Sequence, residues 1–118
     1  MNDEILGLKE ESRDELTALS EKRLRSDYLD LINHRLPGLA KQGSMPVRFN
    51  HCFARIVLDN LFEDCWYNRL SRKQPAYKQL SAAQLERAVA IAQSMVDDPS
   101  IARLLNNNSL RWRGKKTR

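Results

Sequence analysis

The segment 80–85, Leu-Ser-Ala-Ala-Gln-Leu, constrains the fold more than any other part of the chain. Ser81 and Gln84 have the spacing of a capping box, in which each side chain satisfies the backbone amide of the other residue at a helix start. Leu80 and Leu85 flank the box at the two positions of a hydrophobic staple. The sequence therefore predicts that an amphipathic helix begins at this point.

Similar capping and helix-breaking signals divide the rest of the chain into helices. Capping residues favour helix starts, whereas Pro and Gly, or clustered Asn, favour helix ends and turns. These signals predict a first helix from the capping box Ser12–Glu15 to Pro37-Gly38, a long apolar helix from the N-cap Asn50 to Pro75, and a short helix from Asp98-Pro99 that is broken at Asn106–Ser109.

No stretch alternates apolar and polar residues as a half-buried strand does, and no Asn-Gly or Asp-Gly hairpin signal occurs. We therefore expect an all-α fold, an irregular bundle of about four helices. Residues 1–110 are predicted to form a single helical domain, of which 1–11 are a candidate for fraying, and residues 111–118 a basic tail. A chain of 118 residues is too short for two sizeable cores.

Composition places the chain among water-soluble globular proteins, with 42% apolar and 30% charged residues. Its longest apolar runs fall far short of the roughly 20 residues needed to cross a membrane. The acidic start Met-Asn-Asp-Glu does not resemble a secretory signal, so a cytoplasmic location is expected. Cys52 and Cys65 are expected to be reduced, because 13 residues of one predicted helix would separate them.

Charge is distributed unevenly along a chain whose net charge is +5. Residues 1–18 contain six acidic and two basic residues, whereas residues 99–118 contain six basic residues and no acidic one. Such asymmetry is typical of a basic terminus that contacts a polyanion. The alternative is that the two ends neutralise each other within the fold.

The C-terminal region combines cations with one large aromatic residue. Cations displace counterions from phosphates, and an indole ring can stack on an unpaired base. This composition predicts nucleic-acid contacts, with a solvated tail as the alternative. The candidate residues are Arg111, Trp112, Arg113, Lys115 and Lys116.

A second basic segment lies between the predicted second and third helices. Ten residues there contain four cations and no acid, and Tyr67 and Tyr77 accompany them. If this segment and the C-terminal region share one side of the fold, they form a single basic and aromatic patch. An ordinary exposed connection is the alternative. The supporting candidates are Arg69, Arg72, Lys73 and Lys78.

His51, Arg55 and Asp59 recur every four residues along the predicted central helix. His51 and Asp59 would lie about 12 Å apart, too far for a direct acid-base pair. An ion pair between Arg55 and Asp59 is the expected structural role of this trio. No phosphate-binding glycine loop, metal-ligand spacing or nucleophile motif occurs, so we predict no enzyme activity, no cofactor and no metal.

Two segments, 51–60 and 109–115, resemble short uncharacterised bacterial and phage proteins, some of which are labelled acetyltransferases. That activity would imply a mixed sheet and a glycine-containing pyrophosphate loop. The sequence predicts neither, and we transfer no site residues from the resemblance.

The sequence therefore predicts a non-enzymatic helical protein that binds nucleic acid, DNA or RNA, through its basic, aromatic C-terminal region. The alternative is a protein-interaction module, such as a phage- or plasmid-type regulator or a small helical homodimer, that binds no nucleic acid. Neither interpretation involves a membrane.

Overall fold

The computed structural model describes residues 17–115, and within that range it is an all-α bundle of four helices without β-strands. This confirms the predicted fold class. Helix α1 is continuous through residues 17–30, a π-helical turn Leu31–Arg35 and the segment Leu36–Ala40. It is followed by α2 (Asn50–Phe62), short 3₁₀ turns Trp66–Asn68 and Ala76–Gln79, α3 (Ala82–Asp97) and α4 (Pro99–Trp112).

Helix α3 begins as its capping box predicts. Ser81 Oγ accepts a hydrogen bond from the Gln84 amide at 3.2 Å, and Gln84 Oε1 accepts one from the Ser81 amide at 2.9 Å. Leu80 and Leu85 are both buried. Asp98 then caps α4, accepting from the Ser100 amide at 2.9 Å. Both starts are fixed by neighbouring residues alone, which explains why the sequence predicted them. The Ser12–Glu15 box lies outside the described residues.

Helix α1 runs past Pro37-Gly38, where the sequence predicted its end. Proline inside an α-helix clashes with the carbonyl four residues earlier, and here that carbonyl belongs to Asn33. Asn33 lies in the π turn, in which the Leu36 amide donates to the Leu31 carbonyl five residues back. This wider turn accommodates the proline ring, so the helix ends only at Ala40.

Helix α2 ends at Phe62, well before the predicted boundary at Pro75. Glu63 adopts a left-handed conformation with φ 53°, and Asp64 Oδ1 accepts a hydrogen bond from the Cys65 amide at 2.8 Å. The chain therefore leaves the helix axis at a position that carries no Gly or Pro signal. Cys65 lies beyond the helix, and both it and Cys52 have free thiols.

The core surrounds α2, which packs against α1, α3 and α4. Helix α2 thus occupies the central position that its wide apolar surface predicts. No helix in the range 17–115 is long and apolar enough to span a bilayer. The largest fully buried apolar side chains are Leu36, Phe53, Ile56, Leu58, Leu85 and Met95.

Helix α4 continues through Asn106–Ser109, so the predicted break there is wrong. Asn106 and Ser109 are buried and lie on the side of α4 that faces α2. Residues 102, 106, 109 and 113 follow the spacing of one helical face. The Asn-rich segment is therefore the polar end of a packed helix and not a turn.

Candidate nucleic-acid interface

A buried carboxylate joins α2 to the C-terminal end of α4. Asp59 is completely buried, and its oxygens accept hydrogen bonds from Arg113 Nε at 2.7 Å and Arg113 Nη2 at 3.1 Å. Ser109 Oγ donates to the same carboxylate at 2.7 Å, and the Trp66 amide donates at 2.9 Å. Four donors thus surround a charge that would be very costly to bury alone.

Arg55 reaches this cluster through Ser109. Its guanidinium donates to Ser109 Oγ at 2.7 Å and to Asn106 Oδ1 at 2.8 Å. The two-bond partner of Asp59 is Arg113, which the sequence pattern placed among the nucleic-acid contacts. A structural role was expected for Arg55 and Asp59; Asp59 is buried, Arg55 is half-buried, and both side chains lie in the α2–α4 contact.

Asn60 extends the polar contact between the two helices. Its Nδ2 atom donates to the Leu105 carbonyl at 2.9 Å, and its Oδ1 atom accepts from Asn108 Nδ2 at 3.2 Å. The side chain that the sequence pattern treated as a helix breaker, Asn108, therefore bonds across the interface. The local propensity of Asn for a turn is offset here by hydrogen bonds that cross between the two helices.

Helix α4 extends into the first residues of the segment 111–118. The Gly114 amide donates to the Arg111 carbonyl at 3.0 Å, and the Lys115 amide donates to the Leu110 carbonyl at 2.7 Å. With Gly114 at φ +69°, this is a Schellman motif. Arg111 and Trp112 consequently belong to the last turn of α4, while Lys116 lies outside the described residues.

The candidate residues of the C-terminal region differ in exposure. Arg111 and Lys115 are exposed, and the Arg111 guanidinium donates to Asn108 Oδ1. Trp112 has 37% of its surface exposed. The Arg113 side chain is only 14% exposed, and its hydrogen bonds to Asp59 raise the pKa of its guanidinium above the ordinary value. Arg113 is therefore primarily a structural residue.

The basic segment of residues 69–78, called the basic loop below, is fixed by one glutamine. Gln79 Oε1 accepts from the Ser71 amide at 2.9 Å, while Gln79 Nε2 donates to the carbonyls of Ser71 at 2.8 Å and Gln74 at 3.2 Å. The Lys73 amide adds a bond to Ser71 Oγ at 3.1 Å. These bonds give the loop a defined shape ahead of the 3₁₀ turn Ala76–Gln79.

Tyr67 brings the basic loop and the C-terminal region together. The Arg72 guanidinium carbon lies 4.0 Å from the centre of the Tyr67 ring, and that of Arg113 lies 4.7 Å from the same centre. Both distances are within the range of cation–π attraction. Tyr67 remains 41% exposed, and the Trp66 ring meets its edge with centres 4.7 Å apart.

Two further cations of the basic loop, Arg69 and Lys78, lie in different surroundings. Arg69 is exposed and forms an ion pair with Asp64 at 3.3 Å. Hydrogen bonds from Asn68 and Arg69 lower the pKa of Asp64. Lys78 instead lines a groove on α1 together with Lys22 and Arg25, two cations that the sequence pattern did not single out.

The described residues offer no candidate metal centre. No group of three or more His, Cys, Asp and Glu side chains in the range 17–115 could hold a metal ion. Comparison with known proteins yielded no match to any family model, curated protein or solved structure. Any function must therefore be inferred from the geometry of this chain.

Proposed function

We propose that this protein binds nucleic acid through the basic loop and the exposed end of α4, with Tyr67 at the junction of the two. The observation that carries the proposal is the position of Tyr67, whose ring contacts Arg72 from the loop and Arg113 from the C-terminal region. The contacts are assigned to Arg69, Arg72, Lys73, Lys78, Arg111, Trp112, Lys115 and Lys116, with Arg113 as the structural support.

Charge supports the proposal. Residues 17–115 contain sixteen Lys and Arg against nine Asp and Glu, a net charge of +7. Exposed cations on a surface of this kind bind phosphates by releasing condensed counterions, and the binding free energy does not require sequence readout. Tyr67 remains 41% exposed, and the Arg72 guanidinium held over its ring has a planar outer surface on which a base can stack.

The proposal includes no catalytic step. The richest polar cluster, formed by Asp59, Ser109 and Arg113, lies inside the α2–α4 contact. Asp59 and Ser109 are buried, so neither side chain can reach a substrate. These residues stabilise the α2–α4 contact that supports the exposed cations.

The test is a charge-neutralised variant of the loop, Arg69→Gln, Arg72→Gln and Lys73→Gln. Fluorescence anisotropy with labelled DNA and RNA strands, from about 50 to 200 mM salt, would measure the affinity. Losing three phosphate contacts lowers the slope of log affinity against log salt by about 2 to 3. Unchanged thermal melting would show that the fold is intact.

A matched control carries the same number of neutralised cations on other surfaces. Lys41, Arg87 and Arg103 are all exposed and lie outside the basic loop. Changing these three to Gln alters the net charge equally and should weaken binding much less. Equal losses in the two triple variants would mean that binding follows net charge alone, contrary to the proposal.

A second candidate function is a contact between protein chains through α1, as a homodimer or with another protein partner. Leu19 on α1 is 62% exposed, and the neighbouring turns of that helix are largely exposed as well. An apolar residue in this position can form the centre of a helix–helix contact. Light scattering of the intact chain and of a Leu19→Ser variant would test the homodimer. A dimer held by Leu19 should fall to the mass of a monomer on this substitution, whereas a monomer should keep its mass.

A further inference from the structure

A cleft of about 500 Å³ lies beside Tyr67, between α1, α2 and the basic loop. Its floor is formed by buried apolar surface from the helices, and its wall is aromatic. A volume of this size is typical of small-molecule sites and exceeds what one planar ring requires. The residues that form the floor and the wall are Tyr28, Ile32, Leu58, Trp66, Tyr67 and Tyr77.

The aromatic wall consists of two ring pairs. Tyr28 and Tyr77 have ring centres 6.3 Å apart at an interplanar angle of 34°, and Trp66 meets Tyr67 edge to face. Tyr28 is buried, whereas Tyr77 is only half-buried and so has surface available to a ligand. Flat, polarisable surfaces of this kind favour stacking with planar rings.

Polar side chains occupy the rim of the same cleft. Asn33, His51 and Gln74 line it and are exposed. Asn33 Oδ1 accepts a hydrogen bond from Asn50 Nδ2 at 3.1 Å, which fixes the side-chain amide of Asn33. The Nδ2 donors of Asn33 are thereby directed away from this bond. The rim therefore offers hydrogen-bonding groups at the edge of an aromatic surface, as the edge of a nucleobase requires.

Cations flank the cleft on two sides. Arg72 lies at Tyr67, on the side of the basic loop. On the other side, Tyr77 is shared with the α1 groove, which contains Lys22, Arg25 and Lys78. Asp30 is the acidic residue in that groove, so the cations outnumber the acid there by three to one.

We infer that this cleft receives an unpaired base of a single-stranded nucleic acid, with the flanking phosphates on Arg72 at one side and on Lys22, Arg25 and Lys78 at the other. The inference rests on the proposed function and specifies its ligand. Single strands are favoured because a recessed aromatic wall can be reached only by a base that has left its stack, whereas a duplex keeps the faces of its bases covered.

The experiment measures anisotropy with three labelled ligands of equal length: a single strand, a single strand with abasic sugars, and a duplex. All three carry phosphates, but only the first offers unpaired bases. The intact chain should bind the ordinary single strand most tightly. One stacked base corresponds to about 5- to 150-fold in affinity over the abasic strand.

Two variants locate the base. Tyr77→Leu keeps an apolar side chain but removes the ring, so it should lower single-strand affinity toward that of the abasic strand and leave abasic binding unchanged. Leu104→Ala is the control for loss of exposed apolar surface, because Leu104 is 58% exposed and lies on α4, outside this cleft. It should have no effect.

The double variant Lys22→Gln and Arg25→Gln changes only exposed side chains, so it keeps the test decisive if Tyr77→Leu lowers stability. It should weaken the binding of ordinary and abasic single strands alike. Equal affinity of the two single strands would overturn the base site while leaving the proposed function intact. Failure to bind any of the three ligands would overturn both.

Discussion

Removal of the Arg113 side chain should destabilise the fold far more than removal of an ordinary surface cation. In Arg113→Ala, the carboxylate of Asp59 loses two of its four hydrogen bonds and keeps only those from Ser109 and Trp66. Deleting one partner of a buried ion pair costs about 3 to 5 kcal/mol, because the remaining charge stays buried without its counterion. For a chain of 118 residues this corresponds to a fall in melting temperature of about 12 to 20 °C.

Urea unfolding followed by tryptophan fluorescence, together with thermal melting followed by circular dichroism, would measure the loss. Arg111→Ala is the matched control, since Arg111 is exposed and two residues away, and its cost should stay within about 0.5 kcal/mol. Arg113→Lys keeps the charge but cannot form the two-bond fork, so its stability should be intermediate.

Simultaneous replacement of both partners separates the buried charge from the loss of packing. Asp59→Leu combined with Arg113→Leu removes the charge as well as its partner, and it should cost less than Arg113→Ala alone. If Arg113→Ala costs under about 1 kcal/mol, the pair behaves like an exposed ion pair. The structural role assigned to Arg113 would then be refuted.

Three further results are expected. Ser81→Ala removes the N-cap oxygen of α3 and should cost about 1 kcal/mol in urea unfolding. Gln79→Ala releases the basic loop, so nucleic-acid affinity should fall while the melting temperature changes little; a large drop in melting temperature would contradict this. Hydrogen bonds from Ser100 lower the pKa of Asp98, so its stabilising effect is present above the ordinary carboxyl pKa and is lost as the pH falls through the lower value of the folded state. Asp98→Asn should therefore flatten the acid side of a urea-midpoint profile.

The parts of the fold that sequence patterns predicted depend on short-range interactions. Ser81, Gln84 and Asp98 each satisfy a backbone amide within three residues, so their effect can be inferred from the local sequence. The end of α2 could not be inferred in this way. Glu63 takes a left-handed conformation without the glycine that usually indicates one.

The sequence predicted two basic segments of the candidate interface but could not establish whether they share one side of the fold. Their meeting at Tyr67 depends on where α2 ends and on the continuation of α4 to Trp112. Helix α4 continues to Trp112 because Asn106 and Ser109 form tertiary hydrogen bonds with α2. The spacing of Asn106, Ser109 and Arg113 fits one polar face of a helix and was the available sequence signal for this continuation. The run of Asn residues favoured a turn instead.

The bond between Asp59 and Arg113 also has a consequence for protein synthesis. The two residues are 54 positions apart in sequence, so a ribosome adding about 5 to 20 residues per second incorporates Arg113 about 3 to 11 s after Asp59. During that interval, burying α2 would enclose a carboxylate without its cation. The nascent chain should therefore keep α2 open to water until Arg113 has left the ribosome, when a single side chain allows the core to close.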